Sequence, residues 1–84
     1  MIKRPNPVIT VDAQGLNCPM PLLKAKLALN ACEVGDVVQV LATDGGSVRD
    51  FHAFAELSAH TLIYFAECLN NEGLRYYDYL LQKG

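Results

Sequence analysis

At 84 residues the chain is about the size at which one small hydrophobic core can close, so a single domain over residues 1–84 is expected, with no linker. Hydrophobic residues make up 51% of it and charged residues 19%, too much core material for a disordered segment. Seven Lys plus Arg against nine Asp plus Glu leave a net charge of -2, which argues against a broad phosphate-binding surface and so against direct nucleic-acid binding.

Met1-Ile2-Lys3-Arg4-Pro5-Asn6-Pro7 has two basic residues without an apolar run behind them, so no secretory signal is read there. No stretch approaches the ~18 apolar residues of a membrane span. The chain is expected to be soluble, cytoplasmic and monomeric. Cys18, Cys32 and Cys68 are an odd number at spacings that fit neither a disulfide framework nor paired zinc ligands, so they read as reduced thiols.

Val8 to Asp12 is short and β-branched behind Pro5 and Pro7, which suits a first strand. Ala13 to Asn17 form a loop. From Pro19 to Ala31 the composition turns to Leu, Ala, Lys and Met, with Leu22, Ala25, Leu29 and Cys32 on one narrow stripe at helical spacing. Gly35 follows the expected end of that helix, and Asp36 to Ala42 reads as a mostly buried strand. Thr43-Asp44-Gly45-Gly46 is a turn. Ser47-Val48-Arg49-Asp50 then has the spacing of a capping box opening a second helix, which would account for Ser47 and Asp50 by capping alone. Val48, Phe51, Phe54, Ala55 and Ser58 share one face of this helix, while Arg49, His52, Glu56 and His60 lie on the other. Thr61 to Leu69 and Leu74 to Leu81 are two further strands, joined at Asn70-Asn71-Glu72-Gly73 as a hairpin.

The order β-α-β-α-β-β predicts an α+β two-layer sandwich: a four-stranded mixed sheet with two helices on one face and a wetter opposite face. Its first β-α-β unit should cross over right-handed, with parallel strands. The start of the first helix then lies at the C-terminal edge of the first strand.

That position is held by Gly15-Leu16-Asn17-Cys18-Pro19-Met20-Pro21. Pro19 suits a first helical position, where its missing N–H would be unpaired anyway, and this places Cys18 at or beside the N-cap. The free N–H groups and positive dipole end there should lower the thiol pKa and raise the thiolate fraction. Pro21 stiffens the first turn, and Gly15 lets the loop before it approach closely. The bland alternative is that C-P-x-P merely starts a helix. Ser, Asp or Asn would cap better, by about 1 kcal/mol, so the cysteine points to chemistry.

Asp12, Gly15-Leu16, Cys18-Pro19-Met20-Pro21 and Lys24, followed by Gly35, Ala42-Thr43-Asp44, Ser47, Asp50, Phe54, His60, Tyr76 and Lys83-Gly84, closely resemble the TusA (SirA-like) sulfur-carrier family. The resemblance spans nearly the whole chain. It implies a β-α-β-α-β-β two-layer fold and a carrier-type sulfurtransferase that needs no cofactor. It makes Cys18 the catalytic, persulfide-bearing residue, framed by Gly15, Pro19 and Pro21. Its implied partners are a cysteine desulfurase, rhodanese or DsrE-like donor and an acceptor protein, in routes such as tRNA thiolation, molybdenum cofactor supply or sulfur oxidation. Gly45 departs from the proline common in the family after Asp44, which suggests a more mobile loop.

No second cysteine lies in the motif, which disfavours a C-x-x-C redox cycle. Cys32 sits on the buried stripe about 20 Å along the helix from Cys18, a core position. Cys68 ends a strand and also reads as structural. Lys24, Lys26 and Arg49 are solvated side chains by default, and candidates for contacting a partner or an anion. His52 and His60 lack the neighbours a metal site would want, so no metal is expected. Two other function classes stay open: a non-catalytic regulatory or RNA- or protein-binding module on the same scaffold, and a redox-sensing thiol.

Overall fold

The structure, a computed structural model, describes residues 6–84. Met1 to Pro5, on which the reading of the N-terminal segment and of the first proline rests, lie outside the described residues. The elements follow the order β1 (Ile9–Ala13), α1 (Met20–Asn30), β2 (Val37–Ala42), α2 (Gly46–Leu57), β3 (Thr61–Leu69) and β4 (Arg75–Gln82). The expected boundaries hold to within one residue except at the end of α2, which closes at Leu57 with Ser58 as an extended cap, so His60 lies beyond the helix and not on its polar face; β3 matches the expected span at both ends.

The strands form one mixed sheet in the order β1-β2-β4-β3. β1 and β2 are parallel, whereas β4 runs antiparallel to both β2 and β3. The period-2 pattern sorts the two faces. Ile9, Val11 and Ala13 line up with Val38, Val40 and Ala42, and these with Leu81, Tyr79 and Tyr77, to make the face under the helices. α1 lays Pro21, Ala25 and Leu29 into it, with Leu22 and Cys32 packed at the margin. α2 contributes Phe51, whose ring stacks on Tyr79 at 4.2 Å between centroids. Burial of a ring of this size contributes about 1.5–3 kcal/mol, and the stacked pair adds to it.

The other face is wetter along β1 and β2, as the Thr10–Gln39–Asp78 hydrogen-bond chain shows: the Thr10 hydroxyl donates to Gln39 Oε1, and Gln39 Nε2 donates to Asp78 Oδ1, each at 3.0 Å. Yet the inner strand β4 is buried on both faces from Tyr77 to Leu81. At its far end the hairpin forms as expected, with Asn70 Oδ1 accepting the backbone N–H of Glu72 and of Leu74 at 2.9 Å each.

Three local expectations are corrected. Pro19 is the N-cap of α1, not its first helical residue, and Pro21 stands at the second helical position. Gly35 is not the helix cap: α1 closes at Ala31 in a right-handed conformation, and Gly35 turns the chain four residues later at φ 93°. The capping box does not form. Gly45 is the N-cap of α2 without any side-chain cap bond, and Ser47, 1% exposed, points inward to share a 2.8 Å hydrogen bond with the Tyr79 hydroxyl. A buried tyrosine hydroxyl needs a partner, and this requirement outweighs a solvent-side cap.

Because β1 and β2 are parallel neighbours, the β1–α1 and β2–α2 loops leave the sheet side by side at its C-terminal edge, a place where α/β sheets gather their sites.

Candidate functional site

The two loops are stitched together. The Gly15 N–H donates to Thr43 Oγ1 and the Cys18 N–H donates to Asp44 Oδ2, both at 2.9 Å. Within the first loop, Asp12 Oδ1 accepts the Gln14 backbone N–H at 3.1 Å, the Leu16 N–H reaches Ala13 O at 3.2 Å and the Met20 N–H reaches Asn17 O at 2.8 Å. Gly15 serves this turn through its backbone: its φ is 82°, and a Cβ there would meet nothing within 4 Å. Its role is the left-handed conformation, not the close approach expected from the sequence. The Cys18–Pro19 peptide bond is cis.

Cys18 is exposed and its thiol is free, as are those of Cys32 and Cys68. Its Sγ is turned toward α2, where it donates a hydrogen bond to Asp50 Oδ2. This overturns the expected lowering of its pKa. The hydrogen bond to Asp50 is the largest influence raising the thiol above its ordinary value. Partial loss of solvent and the negative charges of Asp50 and Asp44 act in the same direction, against a smaller downward pull from Arg49. The helix start does not win because Asp44 already occupies the Cys18 N–H, and a second carboxylate meets the sulfur itself. Both contacts favour hydrogen on the Cys18 sulfur.

Asp50 is the contact of Cys18 that the sequence reading missed, having assigned it to capping. A signal was present: Asp50, Ala53, Phe54 and Leu57 recur at i, i+3, i+4 and i+7. They face α1 across a groove of about 390 Å³ completed by Leu22, Lys26 and Ser58. A larger groove of about 480 Å³ between α2 and the edge strand β3 runs past His52, His60 and Phe65, away from Cys18.

Of the candidate cations, Lys26 sits in the groove with Asp50, its ammonium 5.4 Å from the Phe54 ring centre. Arg49 is exposed but close enough to act on the Cys18 charge. Lys24 is exposed on α1 and is not brought to the thiol by any of these contacts. Pro21 is buried beneath the first turn. Cys68 lies on β3 opposite Tyr76, on the sheet face turned away from the helices. His52 holds Val48 O through Nδ1 at 2.7 Å, and His60 Nδ1 accepts the Gly84 N–H at 3.2 Å. Among the described residues no three His, Cys, Asp or Glu side chains are grouped to hold a metal ion, and no helix is long and apolar enough to cross a membrane.

Residues 9–83 match the family described as Sulfurtransferase TusA. The chain is similar to the sulfur carrier protein TusA of Allochromatium vinosum, 55% identical over 53 residues that span 63% of this chain and 70% of that protein. It is also similar to a putative sulfur carrier protein of Neisseria meningitidis serogroup A, 50% identical over 58 residues covering 69% and 78% of the two chains. Among solved structures, the crystal structure of a SirA-like protein from Desulfitobacterium hafniense superposes with a TM-score of 0.63 at 30% identity, over 87% of this chain and 96% of that one. With the match running from Ile9 to Lys83, through every strand, both helices and the two loops that meet at Cys18, this chain belongs to the Sulfurtransferase TusA family.

Proposed function

We propose that this protein is a sulfur carrier acting as one domain, in which Cys18 accepts a sulfane sulfur from a donor protein, holds it as a persulfide and passes it to an acceptor thiol. The observation that carries the reading is the exposed Cys18 thiol, free of any disulfide, on the joined loops at the C-terminal edge of the sheet. A carrier needs a sulfur that two different proteins can reach in turn, and a loop at the rim of a rigid sheet presents one without a cleft to obstruct either of them. Donors of the desulfurase, rhodanese or DsrE-like kind fit this chemistry. The acceptors would serve tRNA thiolation, molybdenum cofactor supply or sulfur oxidation. Gly15, Pro19 and Pro21 frame the thiol, and Lys24, Lys26 and Arg49 lie on the two helices that a partner reaching Cys18 would approach.

The test is intact-protein mass spectrometry after incubation with a cysteine desulfurase and cysteine. Wild type gains the mass of one sulfur atom, reversed by a reductant, and Cys18→Ala gains none. An adduct that persists in Cys18→Ala, or none on wild type, rejects the reading.

A further inference from the structure

The charged groups facing the Cys18 thiol come from one segment: Asp44 from the β2–α2 loop, and Arg49 and Asp50 from the start of α2. The two carboxylates hold different things. Asp44 takes the backbone N–H, a contact indifferent to what the sulfur carries. Asp50 takes the hydrogen on Sγ, a contact that exists only while the sulfur is a thiol. Building on the sulfur-carrier reading, we propose that Asp50 is a charge latch: it retains the unloaded Cys18 thiol against α2 and expels the loaded persulfide anion outward, toward the acceptor.

The chemistry of loading reverses the sign of this contact. A neutral S–H donating to an ionised carboxylate is attracted to it. During transfer the Cys18 proton leaves through the hydrogen bond to Asp50. The sulfur lone pair forms a new S–S bond to the outer sulfur of the donor's persulfide, and the donor's own S–S bond breaks with its electron pair left on the donor cysteine. That cysteine takes up the proton, so nothing is oxidised or reduced overall. Sγ now carries a second sulfur and has no hydrogen to donate. The outer sulfur ionises more readily than a thiol, so it meets Asp50 and Asp44 as a like charge. Arg49 is the opposing charge, and it is exposed, where a cation is well screened.

Geometry makes the outward path the open one. The walls of the α1–α2 groove beside Asp50 are mostly apolar, with Leu22, Ala53, Phe54 and Leu57 offering an anion no hydrogen bond and Ser58 the one hydroxyl among its lining residues. Lys26 lies in this groove and is the cation that could hold the sulfur inward instead. The raised pKa of the resting thiol agrees with a latch that favours hydrogen on Sγ. It also opposes adventitious alkylation or oxidation of the empty carrier, because the thiolate is the reactive form.

The experiment compares wild type with Asp50→Asn in two states, reading Cys18 alone by peptide mass spectrometry. Unloaded, the pH midpoint of alkylation by iodoacetamide should fall in Asp50→Asn, with several-fold faster alkylation at pH about 7.5, since each unit of lowered pKa is about tenfold in thiolate. Loaded, the rate for a bulky maleimide relative to iodoacetamide should drop several-fold in Asp50→Asn, because a carboxamide can hold the persulfide inward. Asp50→Glu, which keeps the charge, should restore both readouts toward wild type. Loading without a change in either readout overturns the latch and leaves the carrier intact. A lowered midpoint with an unchanged rate ratio overturns it as well, since expulsion then does not occur. An unchanged midpoint with a reduced ratio overturns it equally. Failure of wild type to load at all rejects the carrier reading itself, and the latch with it.

Discussion

Ser47 on α2 and Tyr79 on β4 share a 2.8 Å hydrogen bond in the sealed interior, three residues before the carboxylate that holds Cys18. Ser47 is 1% exposed and Tyr79 0%, so each hydroxyl depends on the other. Ser47→Ala should lower stability by about 1–3 kcal/mol, the penalty of stranding a buried polar group. Tyr79→Phe should have a similar effect, and the double variant should lose less than the sum of the two. Urea unfolding of the four proteins measures the coupling; strict additivity would show that the hydroxyls do not depend on each other.

Adjacent glycines at the start of α2 should respond in opposite directions. Gly45 has φ -61° and ψ -28°, open to any residue, and a Cβ there would sit 3.9 Å from the Tyr77 hydroxyl. Gly45→Ala should therefore stabilise by about 0.4–1 kcal/mol, through the unfolded chain. At Gly46 a Cβ would press on Asp44 Oδ2 at 3.1 Å and on Cys18 Cβ at 3.4 Å. The thermal midpoint should rise for Gly45→Ala and fall for Gly46→Ala, and a rise for both would mean that the packing around Cys18 is looser than described.

Asp44 is the anchor of the Cys18 loop. Its replacement by Ala leaves the Cys18 N–H without its 2.9 Å acceptor and should destabilise by about 1–2 kcal/mol at this partly exposed place. Hydrogen exchange at the Cys18 amide should accelerate more than exchange in β2. Protection unchanged at that amide would remove Asp44 from this role.

Alkaline pH should weaken the fold in two steps. Burial pushes the Tyr79 hydroxyl up from 10.0 to about 12, and Asp50 raises the Cys18 thiol above 9.0. In both cases the native state keeps a proton that the unfolded chain gives up. The associated stability is therefore complete below the unfolded values and is lost as pH climbs, from about 9 for Cys18 and over roughly 10 to 12 for Tyr79. The urea midpoint should fall across that range, less steeply in its upper part for Tyr79→Phe, which has no hydroxyl to ionise. An identical slope in that variant would assign the loss to other groups.

Much of this was legible in the chain. Apolar residues alternate along Ile9–Ala13, Val37–Ala42 is a nearly unbroken apolar run, and the stripe of Ala25 and Leu29 repeats at helical spacing, so the element order and the burial of α1 follow from pattern. Cys18 at a helix start was readable too, because proline marks the turn and a cysteine is a poor cap.

Ser47 and Asp50 were misread for a single reason. Their spacing satisfies a local capping rule, whereas their partners, Tyr79 and Cys18, are 32 residues away in either direction along the chain. Local spacing reports what neighbours within a turn can do and carries nothing about which distant polar group needs satisfying. The sequence by itself thus determined the strands, the helices and the place of Cys18 at a helix start, since these rest on short-range pattern and on burial. Only the tertiary structure decided what surrounds its thiol. It brought the β2–α2 loop against the β1–α1 loop and set one carboxylate on the Cys18 amide and another on its sulfur, where charge at contact distance outweighs the helix start.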